Sequence, residues 1–368
     1  MPSSNAAALM RLSRSLERLQ AVAAPDAPGA TIVMALKPLE KQGYGSGDHM
    51  TFAGCHLDRD RAFEACMGEA AEYIAQDRTA GSEFAPSGDA EQISQFDAYC
   101  TQTGRARSWT PCVDLVAGTS AMVPAELCLY GDHPHDRDIS TGCAAGETRD
   151  RAILHAICEI IERDAASKWW AGVHTGAAVR DPGVAESWIA EARQGERGRF
   201  VKLIDIRGAA VIPVVAACSF QVDGTGFACG IKAHPDPGDA VAGALREMVQ
   251  MEFGLFLARL KLDRAGPDRL QQSDVRHLLR ARSFTVDHPV FAAADAESAS
   301  FDGASSPGLM ELAGTLAQRG QRVFVCDLTW EPEIPVARVL VAGLPIPLRP
   351  GPLIFGEDCW HHDLPPLY

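Results

Sequence analysis

Three short segments of the sequence repeat one spacing of side chains that could bind a cation. Asp58, Ala62, Glu69 and Glu72 form D-x3-A-x6-E-x2-E, and Thr148, Ala152, Glu159 and Glu162 form T-x3-A-x6-E-x2-E. Asp236, Ala240, Glu247 and Gln250 form D-x3-A-x6-E-x2-Q. Residues three apart share a helix face, so each segment presents two oxygen-bearing side chains together. The pairs lie among apolar residues: Phe63, Met67 and Ile74; Ile153, Leu154, Ile157 and Ile161; Val241, Leu245 and Met248. Like charges on such a face are costly to bury unless a cation compensates. One E-x-x-E taken alone reads as a solvated helix face. Three in one frame leave two readings standing, a solvated face or a metal or metal–phosphate site.

Five carboxylates and an amide are hard oxygen donors, suited to Mg2+ together with phosphate. A di-iron bundle would want two E-x-x-H pairs, and none occurs, since His155 precedes Glu159 by four. Arg163, next to Glu162, is a fixed cation suited to phosphate oxygens. No G-x-x-x-x-G-K-[ST] and no strand-following G-x-G-x-x-G is present, so neither a P-loop nor a Rossmann dinucleotide site is indicated.

The elements that must position these groups announce themselves. Asp58, Thr148 and Asp236 are good helix N-caps, and Pro237 suits the first helical position. A glycine precedes each segment: Gly54, Gly146 and Gly230. Strand-like runs stand at Thr31–Lys37, Phe200–Ile206, Val211–Phe220, Phe227–Ala233, Arg322–Leu328 and Pro335–Ala342, with helical patterns between others. Met10–Ala23 reads as an amphipathic helix through Leu12, Leu16 and Leu19, and a further helix is expected near Asp274–Arg282. Gly43–Asp48 and Thr79–Glu91 read as loops, and Ala292–Pro307 as a flexible connection. The mixture predicts an α/β (α+β mixed) protein.

The chain has 368 residues, a net charge of −14 and 46% apolar residues, which allows a sizeable core in one large or two ordinary domains. So acidic a balance argues against a nucleic-acid partner and against an anionic membrane surface. No run is long enough for a membrane helix, and no signal peptide is evident. Eleven cysteines without C-x-x-C indicate neither a disulfide framework nor a zinc ribbon. Cys158, Cys218 and Cys326 read as small core residues, and a reduced, cytoplasmic chain fits best.

Ser140–Trp170, STGCAAGETRDRAILHAICEIIERDAASKWW, closely resembles the central motif of the YcaO family, S-x-G-x-A-x-G followed by a helix with E-x-x-E-R-D. Asp58–Tyr73 resembles the family's first acidic helix, and Cys229–Gln250 its G-x-x-H-P-D-P…E-x-x-Q segment. Trp109–Leu129, Val201–Ala217 and Asp327–Gly343, the last with I-P-V-x-R-V-x-V-x-G, resemble further family strands. The resemblance implies a YcaO-like fold, with β-sheets and helices packed around a central ATP and Mg2+ site. It implies an enzyme that uses ATP to phosphorylate the oxygen of a peptide backbone amide after a nucleophile has added. A Cys, Ser or Thr side chain then gives an azoline, sulfide a thioamide, and an amine an amidine, in a ribosomally made precursor peptide. Carried over by position, Glu69, Glu72, Glu159, Glu162 and Glu247 would be metal or metal-water ligands. Arg163 and Gln250 would contact nucleotide phosphates, with Glu247 beside them, and Glu159, Glu162 and Arg163 would form the catalytic group.

Several positions depart from the family pattern. Ala65 stands where Ser is usual, Tyr73 and Gly243 where Arg is usual, and Ala53-Gly54-Cys55 where a basic G-x-G is usual. Arg246 is nearby, and Arg105, Arg107 or Lys232 could substitute. These departures motivate a second reading, a catalytically weakened homologue serving as a binding or scaffold subunit. A carboxylate-bridged redox metal enzyme is a third. The expected organisation is a helical segment at 1–28, the YcaO domain at 29–345 and a proline-containing tail at 346–368. An E1-like or TfuA-like partner is expected to deliver the precursor peptide or sulfide, and a homodimer is compatible. His361, His362 and Asp363 are expected in a solvated tail, His234 in a hydrogen-bonded turn, and Trp169 and Trp170 in the core.

Overall fold

A computed structural model describes residues 4–38, 49–78, 90–99, 108–130, 140–179, 183–292, 294–299 and 306–344. Arg105, Arg107, His361, His362, Asp363, the tail at 346–368 and the stretches 43–48 and 79–89 lie outside the described residues. The chain begins with helix α1 (Ser4–Ser13), then strands β1 (Glu17–Ala24), β2 (Ala27–Pro38) and β3 (His49–His56), then helix α2 (Arg59–Arg78). Strands β4 (Glu91–Gln92), β5 (Trp109–Asp114), β6 (Ser120–Pro124) and β7 (Cys143–Ala145) lead into α3 (Arg149–Trp170). Next come β8 (Ala177–Val179), α4 (Val184–Arg193), β9 (Arg199–Asp205), β10 (Val214–Gln221) and β11 (Ala228–Ala233), which deliver the chain to α5 (Pro237–Ala265). It closes with α6 (Gln272–Ser283), β12 (Ala294–Ala299), α7 (Leu309–Gln318), β13 (Val323–Asp327) and β14 (Val336–Val341).

The strands make three sheets, ordered β1-β2-β3, β4-β6-β5-β13-β14-β7 and β11-β10-β9-β8-β12. This is the expected mixed α/β architecture. Helix α3 bridges two sheets, because its apolar residues surround it. Ile153, Leu154, Ile157 and Ile161 pack with Val339 of β14 and Val214, Ala216 and Ile231 of the five-stranded sheet. At its end Trp169 and Trp170 are buried, their rings 5.5 Å apart, and Trp170 meets Phe284 at 4.8 Å. They are core residues, as expected. Cys158, Cys218 and Cys326 are buried free thiols.

Three expectations need correction. The helix foreseen over Met10–Ala23 ends at Ser13, and Glu17–Ala24 is a strand paired with β2, Val22 opposite Ile32. Among the described residues of 1–28, Ser4–Ser13 alone is helical. Arg18 has φ 50°, which no helix accommodates, and Leu19 is exposed, so the leucine spacing does not mark one buried face. Cross-strand pairing, invisible to local periodicity, overrode it. The second concerns Ala292–Pro307, which contains β12, paired in parallel with β8. Glu91, assigned to a loop, opens β4 and is held by Arg322 at 2.9 and 2.8 Å.

Candidate active site

All three helix caps form. Asp58 Oδ1 accepts the amides of Asp60 and Arg61, Thr148 Oγ1 that of Arg151, and Asp236 Oδ1 that of Asp239. His234 accepts the Asp236 amide through Nδ1 at 3.0 Å, which makes it the expected turn residue.

Each acidic helix then rests on the strand before it at a glycine. A Cβ on Gly54 would lie 2.3 Å from the Ala62 carbonyl, and one on Gly146 2.4 Å from the Ala152 amide. On Gly230 it would lie 2.1 Å from the Met248 amide and 2.3 Å from the Ala244 carbonyl. Backbone meets backbone, so only glycine permits the contact. Gly230→Ala must part β11 from α5, at an expected cost of about 1–3 kcal/mol, the range for overpacking. Thermal denaturation measures it, and an unchanged melting temperature contradicts this account of the contact.

That close approach brings the carboxylates to backbone amides of the strands and of the turn before β7. The Ala53 amide donates to Glu69 Oε2 at 2.7 Å, Gly142 to Glu159 Oε2 at 3.0 Å, and Ile231 to Glu247 Oε2 at 2.9 Å. In these three pairs the first glutamate binds its own segment. The second glutamate reaches the next one: Ala145 donates to Glu72 Oε1 at 2.8 Å and Ala233 to Glu162 Oε2 at 3.0 Å. Glu72 and Glu162 thus tie three helix–strand units together. These amides carry no side-chain signal in the sequence, although the three glycines mark where they lie.

Gly142 holds φ +88°, and a Cβ there would lie 2.7 Å from the Val339 carbonyl. Its turn is clamped by fully buried Arg338 of β14, which donates to Ser140 O at 2.8 Å, Thr141 O at 2.5 Å and Leu127 O at 2.8 Å. Arg338 is the arginine of I-P-V-x-R-V, a positioning role that the motif alone did not disclose.

The carboxylates feel one another. Glu69 keeps an exposed surface but is surrounded by protein, so it faces a cleft. Desolvation, with repulsion from Glu159 and Glu247, raises it to about 7 against the pull of the Ala53 amide. Desolvation raises Glu72 to about 8, helped by Glu159 and Glu69. Buried Glu162 rises to about 7 through desolvation, offset in part by Lys232 and Arg163. Arg163 lies over its own helix, 3.6 Å from Glu159 Oε1 and 3.9 Å from Glu162 Oε1. Gln250 sits half-buried three residues beyond Glu247 on α5.

The departing positions also find their places. Tyr73 is buried against Phe52 and Tyr130, with ring centroids 5.5 and 5.2 Å away, and Ala65 is exposed. Arg246 has Asp239, Cys55 and Arg61 as its electrostatic neighbours. Lys232 has Glu162, Glu247 and Glu159 as electrostatic neighbours.

The donors fit a metal–phosphate pair better than a bare ion. Among the described residues no three carboxylates stand close enough to ring one cation. One oxygen of each is committed to a backbone amide. Mg2+ retains waters and takes one or two carboxylates along with phosphate oxygens, which suits so open a ring of hard donors. Added positive charge would also relieve the repulsion that raises Glu69, Glu72 and Glu162.

Three acidic helices therefore bring five glutamates together on the amides of neighbouring segments. The chain belongs to the YcaO family: residues 85–345 match the family model described as YcaO cyclodehydratase, ATP- and Mg2+-binding. It is similar to the structure of YcaO from Methanopyrus kandleri bound with AMPPCP and Mg2+, at 22% identity and TM-score 0.67, over 92% of this chain and 91% of that one. It is also similar to a heterocyclase in complex with substrate and cofactor, at 20% identity and TM-score 0.74. That likeness covers 94% of this chain but 52% of the other, so this chain spans about half of it. A Rhizobium leguminosarum bv. trifolii protein encoded in the tfuA 3' region is 29% identical over 233 residues, 54% of each chain. Among the described residues no helix is long and apolar enough to cross a membrane.

Proposed function

We propose that this chain uses ATP and Mg2+ to activate a backbone amide of a ribosomally made peptide by O-phosphorylation, giving an azoline, a thioamide or an amidine. The observation that carries the reading is the convergence of Glu69, Glu72, Glu159, Glu162 and Glu247 from three matched helices, each carboxylate anchored on a backbone amide of a strand or, for Glu159, of the Gly142 turn. These five hold metal directly or through water. Arg163 and Gln250 contact phosphate, and Glu159, Glu162 and Arg163 orient the transferring group. Bound Mg2+ supplies charge neutralisation across the phosphates. The strand amides fix the glutamates before ligand arrives, so little reorganisation is needed.

The thioamide branch draws support from the relative encoded beside tfuA. In that branch a TfuA-like protein would deliver sulfide; for azolines an E1-like protein would present the peptide. Both would work in a reducing cytoplasm. The second reading, a weakened homologue acting as a binding or scaffold subunit, is favoured by Tyr73, which packs in the core and cannot serve phosphate.

Calorimetry with AMPPCP and Mg2+ tests the proposal. Wild type is expected to bind only with Mg2+, and Glu159→Ala with Glu162→Ala to weaken binding at least about 100-fold, since two charge-assisted contacts of about 1.5–3 kcal/mol each are lost. Absence of Mg2+-dependent binding by wild type would sink the enzyme reading in favour of the scaffold.

A further inference from the structure

Lys232 belongs to β11, between the two residues whose amides hold Glu247 and Glu162. Its stem crosses α5 where a side chain is missing. A Cβ on Gly243 would lie 2.4 Å from Lys232 Cγ and 3.1 Å from Cδ. Gly243 precedes Glu247 by one turn, so the stem runs along the helix that carries the third acidic position. The ammonium feels Glu162 most strongly among the carboxylates, then Glu247 and Glu159, and Glu72 feels it in turn. Among the described residues it makes no hydrogen bond and no ion pair with any of them. Arg163, by contrast, is paired with Glu159 and Glu162.

An ammonium held in a cleft without a partner is a donor set waiting for an acceptor. Four carboxylates surround it, so no free anion would displace water there unless it brought its own cation. A polyphosphate carrying Mg2+ meets both conditions, since the metal goes to the carboxylates and a phosphate oxygen to the ammonium. We propose that Lys232 is a direct phosphate contact of the bound nucleotide, delivered from β11 through the space that Gly243 leaves on α5. The inference rests on the nucleotide reading above and adds to it a residue and a packing device particular to this chain.

The proposal separates two affinities by sign. Lys232→Met keeps the stem and removes the charge. Mg2+ alone, titrated calorimetrically into the full chain, is expected to bind several-fold tighter, because a like charge has left the carboxylates. AMPPCP with Mg2+ is expected to bind about 10- to 100-fold weaker, the loss of one charge-assisted contact. Gly243→Ala, with Lys232 in place, is expected to weaken AMPPCP in the same way by evicting the stem. Unchanged or tighter AMPPCP binding by Lys232→Met overturns the proposal, and so does a loss of both affinities, which marks a merely structural lysine. Wild-type AMPPCP affinity in Gly243→Ala overturns the packing argument. If wild type itself fails to bind AMPPCP with Mg2+, the nucleotide reading falls and this inference with it; if wild type binds and Lys232→Met matches it, this inference alone falls.

Discussion

Replacing Glu252 by Ala is expected to cost the protein about 3–5 kcal/mol of stability, the range for breaking one partner out of a buried ion pair. Glu252 lies on α5, five residues past Glu247, and is 4% exposed. Arg193 of α4 grips it twice, at 2.7 Å through Oε2 and 2.6 Å through Oε1. Arg199 of β9 donates to Oε1 at 3.1 Å, and Ser219 of β10 donates to the same oxygen. Arg193 also donates to the Asp26 carbonyl at 2.6 Å, beside the turn between β1 and β2. Removing the carboxylate leaves two guanidinium groups, 5% and 9% exposed, without their shared counter-charge. The network joins the first and third sheets behind the acidic helix, so the damage should spread to the cleft. Urea denaturation of Glu252→Ala against wild type gives the measurement. A loss below about 1 kcal/mol, the size of an exposed pair, would show that the network contributes little.

The second large effect is a fall in the stability of metal-free protein as pH rises. Glu72 moves from an ordinary 4.5 to about 8, chiefly through desolvation. At about 1.4 kcal/mol per tenfold change in proton affinity, that displacement is of order 5 kcal/mol. The folded chain holds the proton more tightly than the unfolded chain, so it binds more protons between these two values. Stability therefore falls with rising pH across the window, is fully present below about 4.5 and is lost above about 8. Glu69 and Glu162, both raised to about 7, act in the same direction over a narrower range. Glu72→Gln, which can still accept the Ala145 amide, is expected to equal wild type near pH 4.5 and to exceed it at pH 8 without metal. Mg2+ with AMPPCP should stabilise wild type at pH 8 more than the variant. Melting curves at the two pH values decide it, and a variant less stable than metal-free wild type at pH 8 contradicts the sign.

The same carboxylates show how far reading the chain residue by residue goes. Helical spacing is local, set by 3.6 residues per turn, and caps act within three residues. The three acidic helices, their N-caps, their donor atoms and the glycines before them were therefore legible. So were the strand runs at 200–206 and 335–342, because β-branched residues cluster in both, and β14 is buried on both faces.

Pairing across the chain was not legible. Nothing local distinguishes Glu17–Ala24 from a helix, since β2 supplies the deciding hydrogen bonds from outside the segment. Tyr73 stands beside Glu72 in sequence, yet it turns to Phe52 and Tyr130 and leaves the cleft. Arg246 is adjacent to Glu247, yet its electrostatic neighbours are Asp239, Cys55 and Arg61. The sequence by itself determined which side chains could hold a metal–phosphate group and that they would come in matched helical pairs. Only the tertiary structure decided which strand amides receive them, that Arg338 clamps the Gly142 turn, and that Lys232 reaches the carboxylates over Gly243. The reason is physical: backbone donors and helix–strand distance are set by contacts between separate segments, 16 residues apart for Ala53 with Glu69 and 73 for Glu72 with Ala145, and local propensity carries no record of them.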